Sequence, residues 1–98
     1  MKLPLFTGVC TAMVTPFLGN QINYPMMEQL LRRQLENGIC SVVISGTTGE
    51  SATLRDEEKR ELFRRCKEYV GDSMQIIAGT GSNDTAHAID LSIQAQEA

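Results

Sequence analysis

The residues best suited to chemistry follow an apolar run at positions 39–44. The segment SGTTGES, residues 45–51, carries two adjacent hydroxyls, Thr47 and Thr48, between two glycines, Gly46 and Gly49. Glycines let a backbone approach a ligand, and N–H groups and hydroxyls can together converge on an anion. This composition favours a carboxylate or phosphate site. It is equally typical of any loop that must turn and cap between a strand and a helix.

Other sites of known type are not supported by the sequence. The loop lacks the Gly-Lys-Ser/Thr ending of a P-loop, and GTGSND at residues 79–84 lacks the third glycine of a dinucleotide-binding motif. The three cysteines, Cys10, Cys40 and Cys66, are widely spaced among apolar neighbours, which predicts reduced core thiols. With His87 as the only histidine, a cysteine nucleophile and a zinc site are both disfavoured, so no metal is expected.

The chemistry-bearing loop lies within an alternating pattern of strands and helices. Apolar runs at 9–14, 39–44 and 74–78 predict three strands, and the run at 39–44 has no polar alternation, as expected for a strand buried on both faces. Turn residues at 18–20 predict a loop after the first strand.

Three helices are predicted between and after these strands. The first starts at Asn23 or Tyr24 and ends before residues 37–38. The second takes Thr53 as N-cap with Asp56 at the N3 position. It ends at Gly71.

The third helix takes Asn83 or Asp84 as its cap and spaces Ala86, Ile89 and Ile93 on one face. It contains no residue that would end it before Ala98. The β-α-β-α-β-α order predicts an α/β fold with a parallel sheet, and residues 1–98 are expected to be part of one domain, cut within this helix.

Composition limits the function classes. The chain has 98 residues and a net charge of −3, from nine Lys and Arg against twelve Asp and Glu, which leaves no basic excess for nucleic acid. No apolar run approaches the roughly 20 residues that span a bilayer, and residues 1–4 do not resemble the start of a signal peptide. A cytoplasmic protein is expected, without membrane or nucleic-acid partners.

Four segments together resemble one enzyme family. FTG at 6–8, TPF at 15–17, GTTGESATL at 46–54 and IAGTGSN at 77–83 are similar to the amino-terminal third of dihydrodipicolinate synthases. That family is grouped with N-acetylneuraminate lyases and keto-deoxy-sugar-acid aldolases, which are (β/α)₈ TIM barrels that join pyruvate to a lysine as a Schiff base. The resemblance implies the amino-terminal β₃α₃ portion of a (β/α)₈ barrel.

The resemblance also implies roles for the loop residues. Thr48 resembles the threonine that binds the pyruvate carboxylate through its hydroxyl and backbone N–H. Thr47 resembles the threonine that relays protons with tyrosine hydroxyls. Gly46 and Gly49 would hold the loop close to the ligand.

The remaining machinery of the family matches nothing in these 98 residues. Lys2 is terminal, and Lys59 and Lys67 lie on the predicted second helix, so all three are expected to be solvated. The resemblance places the Schiff-base lysine, the tyrosines and the arginine that receives the aldehyde beyond residue 98. The chain alone is therefore expected to be inactive.

The parent protein implied by the resemblance is a homotetrameric synthase. It condenses pyruvate with aspartate semialdehyde in lysine and diaminopimelate biosynthesis, without metal or organic cofactor. Two alternatives remain open at this stage: an aldolase of the same superfamily that acts on a sugar acid, and a non-catalytic half-barrel module for binding or assembly.

A regulatory pocket is also implied. In lysine-inhibited synthases it includes the positions that match Ser51, Ala52, Asp56, Lys59, Gly81, Asn83 and His87. Inhibited bacterial enzymes commonly carry histidine at the positions of Asp56 and Lys59, and an acid at the position of His87. Without that acid the ligand ammonium lacks an obvious counter-charge, so lysine feedback is not expected.

Overall fold

A computed structural model describes residues 3–4 and 6–98 of the chain. In chain order the elements are β1 (Cys10–Ala12), β2 (Phe17–Leu18), β3 (Gln21–Ile22), α1 (Tyr24–Glu36), β4 (Ser41–Ile44), α2 (Asp56–Val70), β5 (Gln75–Ala78) and α3 (Thr85–Glu97). The predicted α/β alternation is confirmed. The three parallel strands are shorter than their apolar runs.

The main sheet has the order β1-β4-β5, and both neighbouring pairs are parallel. The central strand β4 is buried at Ser41, Val42 and Ile44 and half-buried at Val43, so the burial on both faces that its apolar run predicts is nearly complete. Its buried aliphatic side chains belong to one core cluster with Leu31 of α1 and Leu62 of α2. Because these strands are parallel, their carboxyl ends lie at one edge of the sheet.

Local signals fix most helix ends as the sequence predicts. The Asn23 side chain accepts a hydrogen bond from the Met26 amide at 3.1 Å and caps α1. The Asp84 side chain does the same for Ala86 at the start of α3. Gly71 ends α2 with a φ of +53°, a conformation that glycine adopts without steric cost.

The predicted start of α2 is wrong. Residues Ser51–Thr53 form a short 3₁₀ helix, and the Thr53 hydroxyl donates to the Glu50 carbonyl instead of capping α2. The N-cap is Arg55, whose amide donates to the Glu58 carboxylate at 2.9 Å. That bond lowers the pKa of Glu58 below its usual value. Leu54, between the 3₁₀ helix and α2, is buried.

The turn predicted at 18–20 is confirmed at residues 19–20, and two short strands that were not predicted, β2 and β3, flank it as an antiparallel hairpin. Two further expectations need correction. Cys40 is exposed, not a core thiol, because β4 begins one residue later and leaves Cys40 outside the core. The apolar face of α3 that carries Ile89 and Ile93 is exposed, and Leu91 is the residue that this helix buries.

Lys59 is buried rather than solvated, with 7% of its surface exposed. It lies one turn before Leu62 and Phe63 on the helix face that packs toward the sheet, where its aliphatic stem is covered. Lys67 is exposed, as expected, and Lys2 lies outside the described residues.

None of the helices in residues 3–4 and 6–98 is long and apolar enough to cross a membrane.

Candidate functional site

The loop that leaves β4 forms a tight turn over residues 45–50. Ser45 and Glu50 adopt left-handed backbone conformations, with φ of +58° and +61°. Between them the Glu50 amide donates to the Thr47 carbonyl at 3.0 Å, and the Ser51 amide donates to the Gly46 carbonyl at 3.2 Å. Two non-glycine residues in this conformation store strain, which neighbouring structure must offset.

The neighbouring strands hold this loop on both sides. On the β1 side, the buried Thr15 hydroxyl donates to the Gly49 carbonyl at 2.8 Å. On the β5 side, the Gly79 amide donates to the Ile44 carbonyl at 2.8 Å, and a Cβ on Gly79 would overlap the Ser45 carbonyl. The carboxyl ends of three strands therefore hold the loop in place.

Close packing explains why glycine occupies two positions of the loop. A Cβ on Gly49 would lie 3.1 Å from both the Met13 carbonyl oxygen and the Thr15 hydroxyl. A Cβ on Gly46 would lie 3.0 Å from a methyl group of Val43. A side chain at either position would make a tighter contact than ordinary van der Waals packing, so glycine suits the close packing of the loop on its own strands.

The turn leaves Thr47 and Thr48 exposed while Ser45 and Gly49 are buried. Within the described residues, the amides of Thr47 and Thr48 donate to no backbone carbonyl. Two hydroxyls and two amide donors therefore remain available at one edge of the sheet. A carboxylate accepts bonds of this kind, which are stronger than bonds between neutral groups.

A second polar cluster lies where α2 and α3 begin. His87 Nε2 is 2.8 Å from an Asp56 carboxylate oxygen, and His87 Nδ1 is 3.1 Å from the Ser82 hydroxyl. Asp56 and His87, two of the positions that the family resemblance implies for a regulatory pocket, are thus in direct contact. Asn83 is exposed in the same loop, whereas Ser51 and Ala52 lie in the 3₁₀ helix.

The remaining nucleophile candidates have structural roles. Lys67 Nζ donates to the Gly71 carbonyl at 2.8 Å and thereby closes the end of α2. Burial raises the pKa of the Cys66 thiol to about 12, so Cys66 is a protonated core thiol at neutral pH. Residues 3–4 and 6–98 contain no cluster of three or more His, Cys, Asp or Glu side chains that could hold a metal ion.

A charged groove elsewhere on the molecule does not share these features. It has a volume of about 510 Å³ and lies between the exposed faces of α2 and α3. One pair of its lining residues, Arg64 with Glu61 at 2.7 Å, is an ordinary contact within one helix. The loop after β4 is the better candidate site for an anion, because four carboxylates line the groove against two arginines.

Sequence reasoning missed Thr15 and Ser82. Thr15 belongs to the TPF segment, but nothing local reveals a bond to a carbonyl 34 residues away. The one usable signal was a polar residue at the end of an apolar strand, directly before a proline. Ser82 carried no signal beyond its place in a glycine-rich loop.

The fold and the loop together define a parallel α/β protein that exposes hydrogen-bond donors at the carboxyl ends of its strands. The model of the dihydrodipicolinate synthetase family matches residues 5–98, and the chain belongs to that family. It forms the β₃α₃ portion of a (β/α)₈ barrel, which confirms the predicted fold class.

Relatives and solved structures agree with this assignment. The chain is 45% identical over 97 residues to the 4-hydroxy-tetrahydrodipicolinate synthase of Acetivibrio thermocellus, covering 99% of this chain and 33% of the relative. The synthase structure from Methylacidiphilum fumariolicum SolV matches with a TM-score of 0.91 at 47% identity, covering 94% of this chain and 31% of that one.

A dihydrodipicolinate synthase from Acinetobacter baumannii, solved in complex with pyruvate, matches with a TM-score of 0.89 at 36% identity. That match covers 92% of this chain and 31% of the other. The chain thus spans about a third of the length of the relatives it matches.

Proposed function

We propose that these residues form the amino-terminal part of a lyase that condenses pyruvate with aspartate semialdehyde in lysine biosynthesis. The observation that carries the proposal is the Thr47–Thr48 pair, exposed and with free amides, on a loop held by three strand ends. The names of the matched synthases and the pyruvate complex of one of them support this substrate class.

In this proposal the loop binds one end of pyruvate. The Thr48 amide and hydroxyl donate to the carboxylate, which holds the keto carbon at a fixed distance and orientation. The Thr47 hydroxyl passes protons to and from the reacting groups. Gly46 and Gly49 keep the turn tight enough for both threonines to stay exposed.

The amine that attacks the keto carbon comes, we propose, from a segment outside these 98 residues. Lys59 is covered on the helix face toward the sheet, and Lys67 closes the far end of α2. The tyrosines and the arginine implied by the family resemblance likewise come from outside these 98 residues. The complete enzyme works as a cytoplasmic homotetramer and needs no cofactor, because a lysine amine supplies the covalent chemistry.

Replacing Thr48 by valine in the full-length protein tests the carboxylate role. Thr48→Val keeps the shape but removes a charge-assisted hydrogen bond worth about 1.5–3 kcal/mol, so kcat/KM for pyruvate should fall roughly 10- to 150-fold. Steady-state kinetics with aspartate semialdehyde saturating measure the change. Unchanged pyruvate kinetics would refute this assignment.

Replacing Thr47 by valine tests the proton relay separately. Because a relay acts during the chemical steps, Thr47→Val should lower kcat by about 100-fold while the KM for pyruvate changes little. The two threonine variants are matched controls for each other. An effect of Thr47→Val on pyruvate KM alone would contradict the relay role.

A further inference from the structure

Thr15 contacts the loop from the β1 side, and the conformation of its backbone restricts where its side chain points. Its side chain is buried, with 4% of the residue exposed, and its hydroxyl donates a buried hydrogen bond to the Gly49 carbonyl. The following Pro16 confines the Thr15 backbone to extended conformations. The Pro16 carbonyl in turn accepts from the Asn23 amide at 2.8 Å, which ties this segment to the start of α1.

From Thr15 a chain of hydrogen bonds runs to the candidate carboxylate site. The Gly49 carbonyl shares a peptide unit with the Glu50 amide, which donates to the Thr47 carbonyl at 3.0 Å. The Thr47 carbonyl shares a peptide unit with the Thr48 amide. Hydrogen bonds in such a chain polarise and orient one another.

We propose that Thr15 is a positioning residue for the carboxylate site. Its hydroxyl orients the peptide between Gly49 and Glu50, and through it the peptide whose amide belongs to Thr48. This inference rests on the proposed function, because the Thr48 amide matters to catalysis only if it binds pyruvate.

Close packing alone does not perform this task. The contact of Gly49 with the Met13 carbonyl fixes how near the loop comes to β1, but not how its peptide planes are rotated. Without the Thr15 hydroxyl the buried Gly49 carbonyl loses its donor. The peptide can then rotate, and the Glu50 amide no longer aligns with the Thr47 carbonyl.

The test uses three variants of the full-length protein. Thr15→Val keeps the shape and removes the hydroxyl, so it should raise the KM for pyruvate about 5-fold, with kcat and the KM for aspartate semialdehyde unchanged. Thr15→Ser restores the hydroxyl and should restore the pyruvate KM. Thr53→Val is the matched control, because the Thr53 hydroxyl also donates to a loop carbonyl but outside this chain of bonds.

The outcomes separate this inference from the proposed function. If Thr48→Val weakens pyruvate use but Thr15→Val does not, Thr15 has no positioning role and the pyruvate site stands. If Thr48→Val has no effect, both are wrong. Equal increases in the KM of both substrates would reduce Thr15 to a structural role and overturn the inference.

If Thr15→Val fails to fold, Thr15→Ala provides a second test. Thr15→Ala removes the hydroxyl without introducing a second methyl group on Cβ, and it is compared with Thr15→Ser. A pyruvate KM that rises only in the alanine variant supports the inference. Equal values in the two folded variants would overturn it.

Discussion

The loops that follow β4 and β5 meet at one edge of the sheet but are held by different kinds of contact. The loop at 45–50 is held by backbone hydrogen bonds and by the buried Thr15 hydroxyl. The junction at 80–87 is held by exposed side chains, chiefly His87 with Asp56 and Ser82. Because backbone groups fix the shape of the loop at 45–50, its threonine side chains remain free to bind a ligand. At the junction, in contrast, the side chains already form hydrogen bonds with one another.

The largest effect on stability is expected where the two loops touch. Gly79→Ala would drive a Cβ into the Ser45 carbonyl, so the free energy of unfolding should fall by about 3 kcal/mol. Urea denaturation of the full-length protein measures the loss. Gly81→Ala is the matched control two residues later, where a Cβ meets nothing within 4 Å, and it should change stability by less than about 0.5 kcal/mol. Equal losses in the two variants would contradict the close approach at Gly79.

The smallest effect is expected at the side-chain cluster. Asp56→Asn weakens a pair whose side chains are 37% and 39% exposed, so the free energy of unfolding should fall by less than about 1 kcal/mol. Asp72→Asn is a control at a fully exposed carboxylate 3.9 Å from Lys67 and should have no measurable effect. A loss as large as that of Gly79→Ala would show that the two loops are held alike.

The sequence predicted what local signals encode. The apolar run at 39–44 marks a buried strand, and Asn23 and Gly71 mark helix ends, because burial on both faces and capping depend on nearby residues. The hairpin of β2 and β3 was missed because two-residue strands are too short to show a period.

Long-range contacts were not readable from the sequence. The loop motif at residues 46–49 was found, but the bond from Thr15 joins positions 34 residues apart. Lys59 and Cys40 were misjudged for the same reason. Their burial and exposure depend on where other elements pack, and neither residue type nor neighbours reveal that.

The central claim is that this loop binds the carboxylate of pyruvate in a Schiff-base site whose lysine lies outside residues 1–98. Trapping with borohydride tests that claim most directly. Lys67 donates to the Gly71 carbonyl at the carboxyl end of α2, and Lys59 is buried, so neither amine should react with pyruvate bound at the loop. Incubated with pyruvate and borohydride, the 98-residue chain should give no stoichiometric adduct by mass spectrometry. The full-length protein should retain one pyruvate per subunit, on a lysine outside residues 1–98. A fully occupied adduct on Lys59 or Lys67 would contradict the account.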